Sequence, residues 1–149
     1  MNEFSIRRLT PNDLLSASAE LQQAFKDYPW EEDWTLAEAT SRMEELLSPS
    51  NCLALGAFDS HDNCIGVAIG RKMTFNGFSE FILDEFSVSP DYQHQHIGTS
   101  LISQLKTVLK EQGVSVLYLV TRKGYGCADF YQHNGMKNSE TEIVLEERI

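Results

Sequence analysis

The amino-acid sequence predicts an α/β fold: a central mixed, mostly antiparallel sheet with helices on both faces. Three observations lead there. Two hairpin signals lie close together, the polar bridge Asp59-Ser60-His61-Asp62-Asn63 and the dipeptide Asn76-Gly77, each between apolar runs. An apolar run over residues 114–120 reads as a strand buried on both faces. Between them stands an amphipathic helix, with Leu101, Ile102, Leu105, Val108 and Leu109 on one face.

The elements follow in order. Residues 5–9 form a first strand. Thr10-Pro11-Asn12-Asp13 reads as a helix start, with Thr10 as N-cap and Pro11 at the first helical position. Leu14, Ala17, Leu21, Ala24, Phe25 and Tyr28 continue at helical spacing until Pro29 ends the helix. Thr35-Leu36-Ala37-Glu38 matches a capping box, and Leu36, Met43, Leu46 and Leu47 give this second helix its apolar stripe. Ser48-Pro49-Ser50 stops it. Residues 52–58 and 64–70 pair across the polar bridge, and Asn76-Gly77 joins the second of them to a strand over 79–88. Gly113 caps the long helix. A short helix over 128–134 ends at Gly135, and residues 141–145 make a last strand. The resulting order is β-αα-βββ-α-β-α-β.

Length and charge bound the function. The chain has 149 residues, enough for one domain over residues 1–149 with its own core. No apolar run approaches the ~20 residues of a membrane span. The start, Met1 to Arg8, lacks the apolar stretch of a secretory signal, so the cytoplasm is the expected location. Twelve basic against 22 acidic residues leave a net charge of −10. Such a surface excludes nucleic acid and anionic lipid as partners and favours cationic small molecules, or serves solubility alone. Cys52, Cys64 and Cys127 show no C-x-x-C spacing, and the first two lie in apolar runs as buried thiols.

The segment from Phe86 to Ile102 carries the most information. An apolar strand runs into the polar loop Ser89-Pro90-Asp91-Tyr92-Gln93-His94-Gln95-His96, and the loop opens the helix at Ile97-Gly98-Thr99-Ser100. The first N–H groups of a helix have no intrahelical partner, so such a junction is a ready anion site. The bland alternative is an ordinary strand-to-helix turn. His94 and His96 have no third ligand at zinc spacing nearby, so no metal site is expected.

In order and spacing this segment resembles the acetyl-CoA pyrophosphate loop of the GNAT N-acetyltransferase superfamily. The family pattern, Gln/Arg-x-x-Gly-x-Gly/Ala, is met by Gln93, Ile97 and Gly98, while His96 stands where the first glycine is usual. A second likeness is Phe130-Tyr131-Gln132-His133-Asn134-Gly135-Met136, similar to the family's "FYxxxGF" segment with Met136 for the final Phe. The element order matches the GNAT fold over nearly the whole chain, which implies six to seven strands. The resemblance implies an acyltransferase with acetyl-CoA as cosubstrate, held by Phe86, Val88 and the backbone from Gln93 to Ser100, His94, Gln95 and Thr99 included. It implies Tyr131 as the acid that protonates the departing thiolate, against a purely packing role, and a primary amine as acceptor. The family's frequent Asn upstream of this tyrosine has no counterpart. Many relatives dimerise, which makes a homodimer an expectation.

Two further features concern the acceptor. Asp84 and Glu85 are adjacent carboxylates in an otherwise apolar strand, a conflict that concentrates at functional sites. Either is the candidate base, Asp84 first, or both are structural carboxylates. By alternation Asp84 shares a face with Ile82 and Phe86, and Glu85 with Leu83, so one pocket takes both only if a bulge intervenes. Trp30, Glu31 and Trp34 lie in an acidic loop between the first two helices and suit a cationic amine by cation–π and charge attraction. They equally suit a loop pinned by two buried indoles. Polyamine- and aminoglycoside-like acceptors are both compatible. The rival function is a non-catalytic acyl-CoA-binding or regulatory module on the same fold.

Overall fold

The structure, a computed structural model, describes residues 3–149. Five strands form one sheet in sequence order: β1 (Phe4–Arg8), β2 (Cys52–Asp59), β3 (Cys64–Phe75), β4 (Phe78–Val88) and β5 (Val116–Leu119). The first four pair antiparallel and β5 runs parallel to β4, so the sheet is mixed as expected. Alternation along the strands separates two cores. On one face Ala54, Val67 and Ile69 pack beneath α1 (Leu14–Ala24) and α2 (Leu36–Leu47), against Leu21 and Met43. On the other, Leu55, Ala68, Phe81 and Leu83 pack against Leu101, Ile102 and Leu105 of α3 (Ile97–Glu111), and Phe130 and Tyr131 of α4 (Cys127–His133) join them.

Most of the local signals act as read, although α1 ends at Ala24, short of the Pro29 expected to stop it. Thr35 caps α2 by accepting the Glu38 N–H through its hydroxyl. The Asp59 carboxylate accepts the N–H groups of His61 and Asn63 and closes the first hairpin. Gly77, at φ +84°, turns the second, with Phe75 and Phe78 paired beside it. Gly113, at φ +74°, ends α3. Thr10 and Pro11 open a 3-10 turn over Pro11–Asp13 instead of the helix itself. There the Asp13 carboxylate accepts from the Thr10 N–H and is bound by Arg7, and α1 proper begins at Leu14. No helix among the described residues is long and apolar enough to cross a membrane.

Two expectations fail at the C-terminal side. The sheet has five strands among the described residues, not six to seven, because residues 141–145 form no strand. Their alternating pattern asks for a neighbouring strand, and no strand among the described residues lies beside them. The run over 114–120 is likewise not buried on both faces. Among the described residues β5 has only β4 as a neighbour, is four residues long, and leaves Val116 and the following Val120 exposed.

Candidate active site

Where β4 and β5 part company, a site forms. Their ladder joins Glu80–Leu83 to Val116–Leu119, yet β4 continues to Val88. From Asp84 onward that edge of β4 has no ladder partner among the described residues, so its backbone groups are free to bind something else. A cleft of about 790 Å³ opens there. Its walls come from Phe86, Ser87 and Val88 of β4, the following loop and the start of α3, the end of α1 with Tyr28 and Trp30, and Phe130 and Tyr131 of α4.

The loop delivers the start of α3 to this cleft by two left-handed residues, His94 at φ +62° and His96 at φ +65°. The second is the N-cap of α3. Histidine tolerates this region better than most residues, which is how His96 stands where glycine is usual. The backbone N–H groups of His94, Gln95, His96, Ile97, Gly98 and Thr99 donate to no acceptor among the described residues. Six successive free donors at the positive end of a 15-residue helix are an arrangement that suits a phosphate-like anion. Gly98 has a second role. A Cβ there would come within 3.3 Å of the Phe130 ring, so glycine lets α3 start flush against α4.

The strand carboxylates are placed by a bulge. Ile69 pairs with Glu85 but Gly70 with Leu83, leaving Asp84 as an extra residue in β4. The alternation expected for the two acids is therefore corrected. Glu85 lies opposite Ile69, beneath α2, where Arg42 Nη2 reaches its Oε2 at 3.2 Å. Asp84 is bound on two oxygens by Arg71, at 2.7 and 2.9 Å. Arg71 shares the face of Ile69, so both acids serve that one side of the sheet. Phe86, which alternation placed with Asp84, lies on the other side, stacked on Phe130 with ring centroids 5.3 Å apart. Burial raises the Glu85 carboxyl, and Arg42 opposes that shift. Neither acid is among the residues lining the cleft.

A residue that the sequence reading passed over completes the picture. Glu20 of α1 is 3 % exposed, and no cation lies within ion-pair distance among the described residues. The Ser87 hydroxyl donates to it, standing 3.0 and 2.9 Å from its two oxygens. Burial pushes this carboxyl up to about 8, with the charge of Glu85 adding to the shift and the Ser87 bond opposing it. Ser87 itself lines the cleft, so Glu20 sits one hydroxyl behind its wall. The signal was present in the sequence: Glu20 falls between Ala17 and Ala24 at i+3 and i−4, inside the buried stripe of α1.

Tyr131 packs edge-on against Phe86 and Phe130. Burial first, then the Glu85 charge, pushes its phenol up to about 12. Trp30 also lines the cleft, packed edge-on against Phe25, and its ring lies 5.6 Å from the guanidinium of Arg122. Arg122 thus occupies a cation–π position on that ring.

A family model described as the Acetyltransferase (GNAT) family matches residues 15–136. The chain belongs to the GNAT acetyltransferase family. It is an acyltransferase on that fold. A possible acetyltransferase from Clostridium difficile superposes with a TM-score of 0.81 at 12% identity, over 98% of each chain. A transcriptional regulator from Bacillus halodurans gives 0.77 at 17%, over 99% of this chain and 100% of that one. An aminoglycoside acetyltransferase from an uncultured soil metagenomic sample, solved with sisomicin, gives 0.74 at 17%, over 98% and 96%. At these identities the likeness is one of fold. Among curated proteins none matches.

Within the GNAT frame, the cleft gathers Phe86, Val88, Gln93, His94, His96, Ile97, Gly98, Thr99, Trp30 and Tyr131. Gln95 and Ser100 stand just outside it: the Gln95 amide donates to the Asp91 carbonyl, and the Ser100 N–H to that of His96. Glu31 is exposed at φ +49°. Trp34 packs into the core beneath α1 and α2 and donates its indole N–H to Glu32.

Proposed function

We propose that this GNAT protein acetylates a primary amine on a cationic small molecule, polyamine- or aminoglycoside-like, using acetyl-CoA. The carrying observation is the run of six unpartnered N–H groups from His94 to Thr99, on the rim of a cleft that also contains the free edge of β4 and Tyr131. These residues fit a pyrophosphate-bearing cosubstrate: the N–H run and the α3 dipole suit the diphosphate, and the free β4 edge suits an extended amide-bearing arm. When bound, acetyl-CoA supplies an activated acyl thioester. Backbone N–H groups near Phe86 to Val88 hydrogen-bond to oxygen charge as it develops in the cleft.

Glu85 takes the acceptor's proton in this reading. Asp84 is less suited, since both its oxygens are engaged by Arg71. Glu85 has one bond from Arg42, and burial raises its affinity for a proton. Tyr131, at about 12, keeps its proton throughout the physiological range. A departing thiolate, whose thiol lies at ~8.5, is too weak a base to take that proton outright, so Tyr131 serves the thiolate's negative charge as a hydrogen-bond donor. Support for a cationic acceptor comes from the net charge of −10 and from Asp27, which lines the cleft beside Trp30. The aminoglycoside acetyltransferases of similar fold point the same way.

Calorimetry with acetyl-CoA, followed by thiol release over spermidine, kanamycin and lysine peptides, tests the reading. Micromolar binding with release for one amine supports it. Binding without release over the panel favours the non-catalytic acyl-CoA-binding module, and no binding removes the phosphate site from the loop.

A further inference from the structure

Glu20 is a buried acid whose side chain has one hydrogen-bond partner among the described residues, the Ser87 hydroxyl. Burying a charge without an opposite charge costs stability, and acids kept in such places cluster at functional sites. The single Ser87 proton is committed to Glu20, so that hydroxyl has only lone pairs left to offer the cleft. Its position suits the task. Ser87 pairs with Val67 and shares the α1 face of the sheet, whereas Phe86 and Val88 turn toward α3. The cleft reaches that face between Ser87 and Ala24, and Ala24 stands one helical turn beyond Glu20 on α1. The Ser87 hydroxyl therefore stands between the cleft and the carboxylate.

Acylation of an ammonium strips its nitrogen of more than one proton. A primary ammonium carries three N–H protons and the amide product keeps one, so two must leave. In acetyl transfer Glu85 takes one of them. Tyr131 holds its own proton and serves the sulfur, so it cannot take the other. We propose that Ser87 Oγ takes this second proton from the acceptor nitrogen while the Ser87 proton passes to the Glu20 carboxylate, which makes Glu20 a proton store one hydroxyl behind the wall. The nitrogen lone pair forms the bond to the acyl carbon and the C–S pair leaves with sulfur. The proton moves from nitrogen to Ser87 Oγ as the Ser87 proton moves to a Glu20 oxygen. Glu20 afterwards returns it through the same hydroxyl to water in the open cleft. The proposal rests on the acetyl-transfer reading and adds to it the route of the second proton.

The surroundings of Glu20 tune that store. Burial pushes its carboxyl up to about 8, the Ser87 bond opposes the shift, and the charge of Glu85 on β4 adds to it. On β3 the Cys64 thiol is pushed up in turn by burial and by the Glu20 charge, and so stays neutral. Arg42 of α2 is engaged by Glu85, and Asp13 of the turn before α1 is bound by Arg7. Among the described residues no cation pairs with Glu20 to hold it ionised. Only ionised Glu20 can take a proton, so the relay strengthens as pH rises through about 8.

Glu20→Gln keeps a partner for Ser87 but takes no proton. With a saturating amine that releases thiol, wild-type kcat is expected to rise with pH through about 8. In the variant that rise is absent, and kcat at the alkaline end is lower by roughly 100-fold, the low end of general-base catalysis. Ser87→Ala is expected to lose the same rise, and Ser87→Thr, which restores a hydroxyl, to regain it. Acetyl-CoA affinity by calorimetry stays level in Glu20→Gln, which separates proton transfer from damage to the cleft. The protein alone gives a second readout: an infrared carbonyl band of a protonated carboxyl that fades over the same pH range and is missing from Glu20→Gln. A pH profile unchanged in Glu20→Gln overturns the relay and leaves acetyl transfer standing. So does a Glu20 already ionised at about pH 6, since it then lacks the affinity for the proton it must take. A wild-type chain that releases no thiol from any amine overturns the acetyl-transfer reading, and the relay with it.

Discussion

Tyr131 and Glu20 show how burial sets what a single proton can do. The Tyr131 phenol, raised to about 12 by burial and by the charge of Glu85, is useful for donating a hydrogen bond, not for ionising. Tyr131→Phe removes that donor and keeps the ring packed on Phe86 and Phe130. Turnover should fall by roughly 10- to 100-fold, at or below the usual range for a positioned proton donor, with acetyl-CoA affinity unchanged by calorimetry. Equal turnover would reduce Tyr131 to packing. Glu20 bears on stability. Its folded value of about 8 lies above that of an exposed carboxyl, so the folded state favours the protonated form. Its contribution is complete below the unfolded value and is lost as pH rises through about 8. Glu20→Gln mimics the neutral acid and keeps a partner for Ser87. Thermal unfolding from about pH 5 to about pH 9 should give matching midpoints at the acid end and a growing advantage for the variant at the alkaline end. Parallel curves would show that Glu20 does not titrate in this way.

At the scale of the element, the deciding features are the bulge in β4 and the turn into α3. Gly70 stands opposite the bulge, where a Cβ would collide with the Ile82 carbonyl oxygen and come within 2.7 Å of the Phe81 ring. Gly70→Ala should destabilise the fold by about 2 kcal/mol in chemical denaturation, the usual scale of an overpacked site. A smaller effect would mean that the strands part easily there. His96 offers the opposite sign. At φ +65° a glycine relieves left-handed strain but loses more chain entropy, for a net gain of about 0.5–1 kcal/mol. His96→Gly should also bind acetyl-CoA at least as tightly as the parent, and weaker binding would give the imidazole a direct role. These two elements also mark how far the sequence could be read. The helices, the hairpins and the phosphate-type loop were legible because caps, Gly77 and apolar spacing are local signals. The bulge was not, since Asp84-Glu85 has the same composition with or without it and only the pairing of Gly70 with Leu83 reveals it. The 141–145 segment was read as a strand from its pattern, but a strand exists only with a neighbour, and no strand among the described residues lies beside it. Glu20 stood within the buried stripe of α1 and so could have been found, but its partner could not, since only the fold brings Ser87 to face it.

At the scale of the whole molecule, the net charge of −10 makes a prediction that no single contact makes. Summed over the surface, that charge attracts a polycation from beyond contact distance, and salt weakens the attraction as the screening length shortens from ~30 Å at 0.01 M to ~8 Å at 0.15 M. For an acceptor such as spermidine, KM should therefore rise several-fold across that range while kcat stays level, because the field acts on encounter and not on the acid, base or oxyanion contacts inside the cleft. A monoamine of similar length is the control, since a smaller charge gives a shallower slope. The slope also separates the two sources of cation recognition. If Asp27 and the acids behind the cleft wall hold the amine by direct contact, Asp27→Asn raises KM at every salt concentration. If the diffuse field dominates, the same substitution shifts KM little and leaves the salt slope intact. A KM indifferent to both salt and Asp27 would sever charge from acceptor choice and leave the acidic surface to solubility alone.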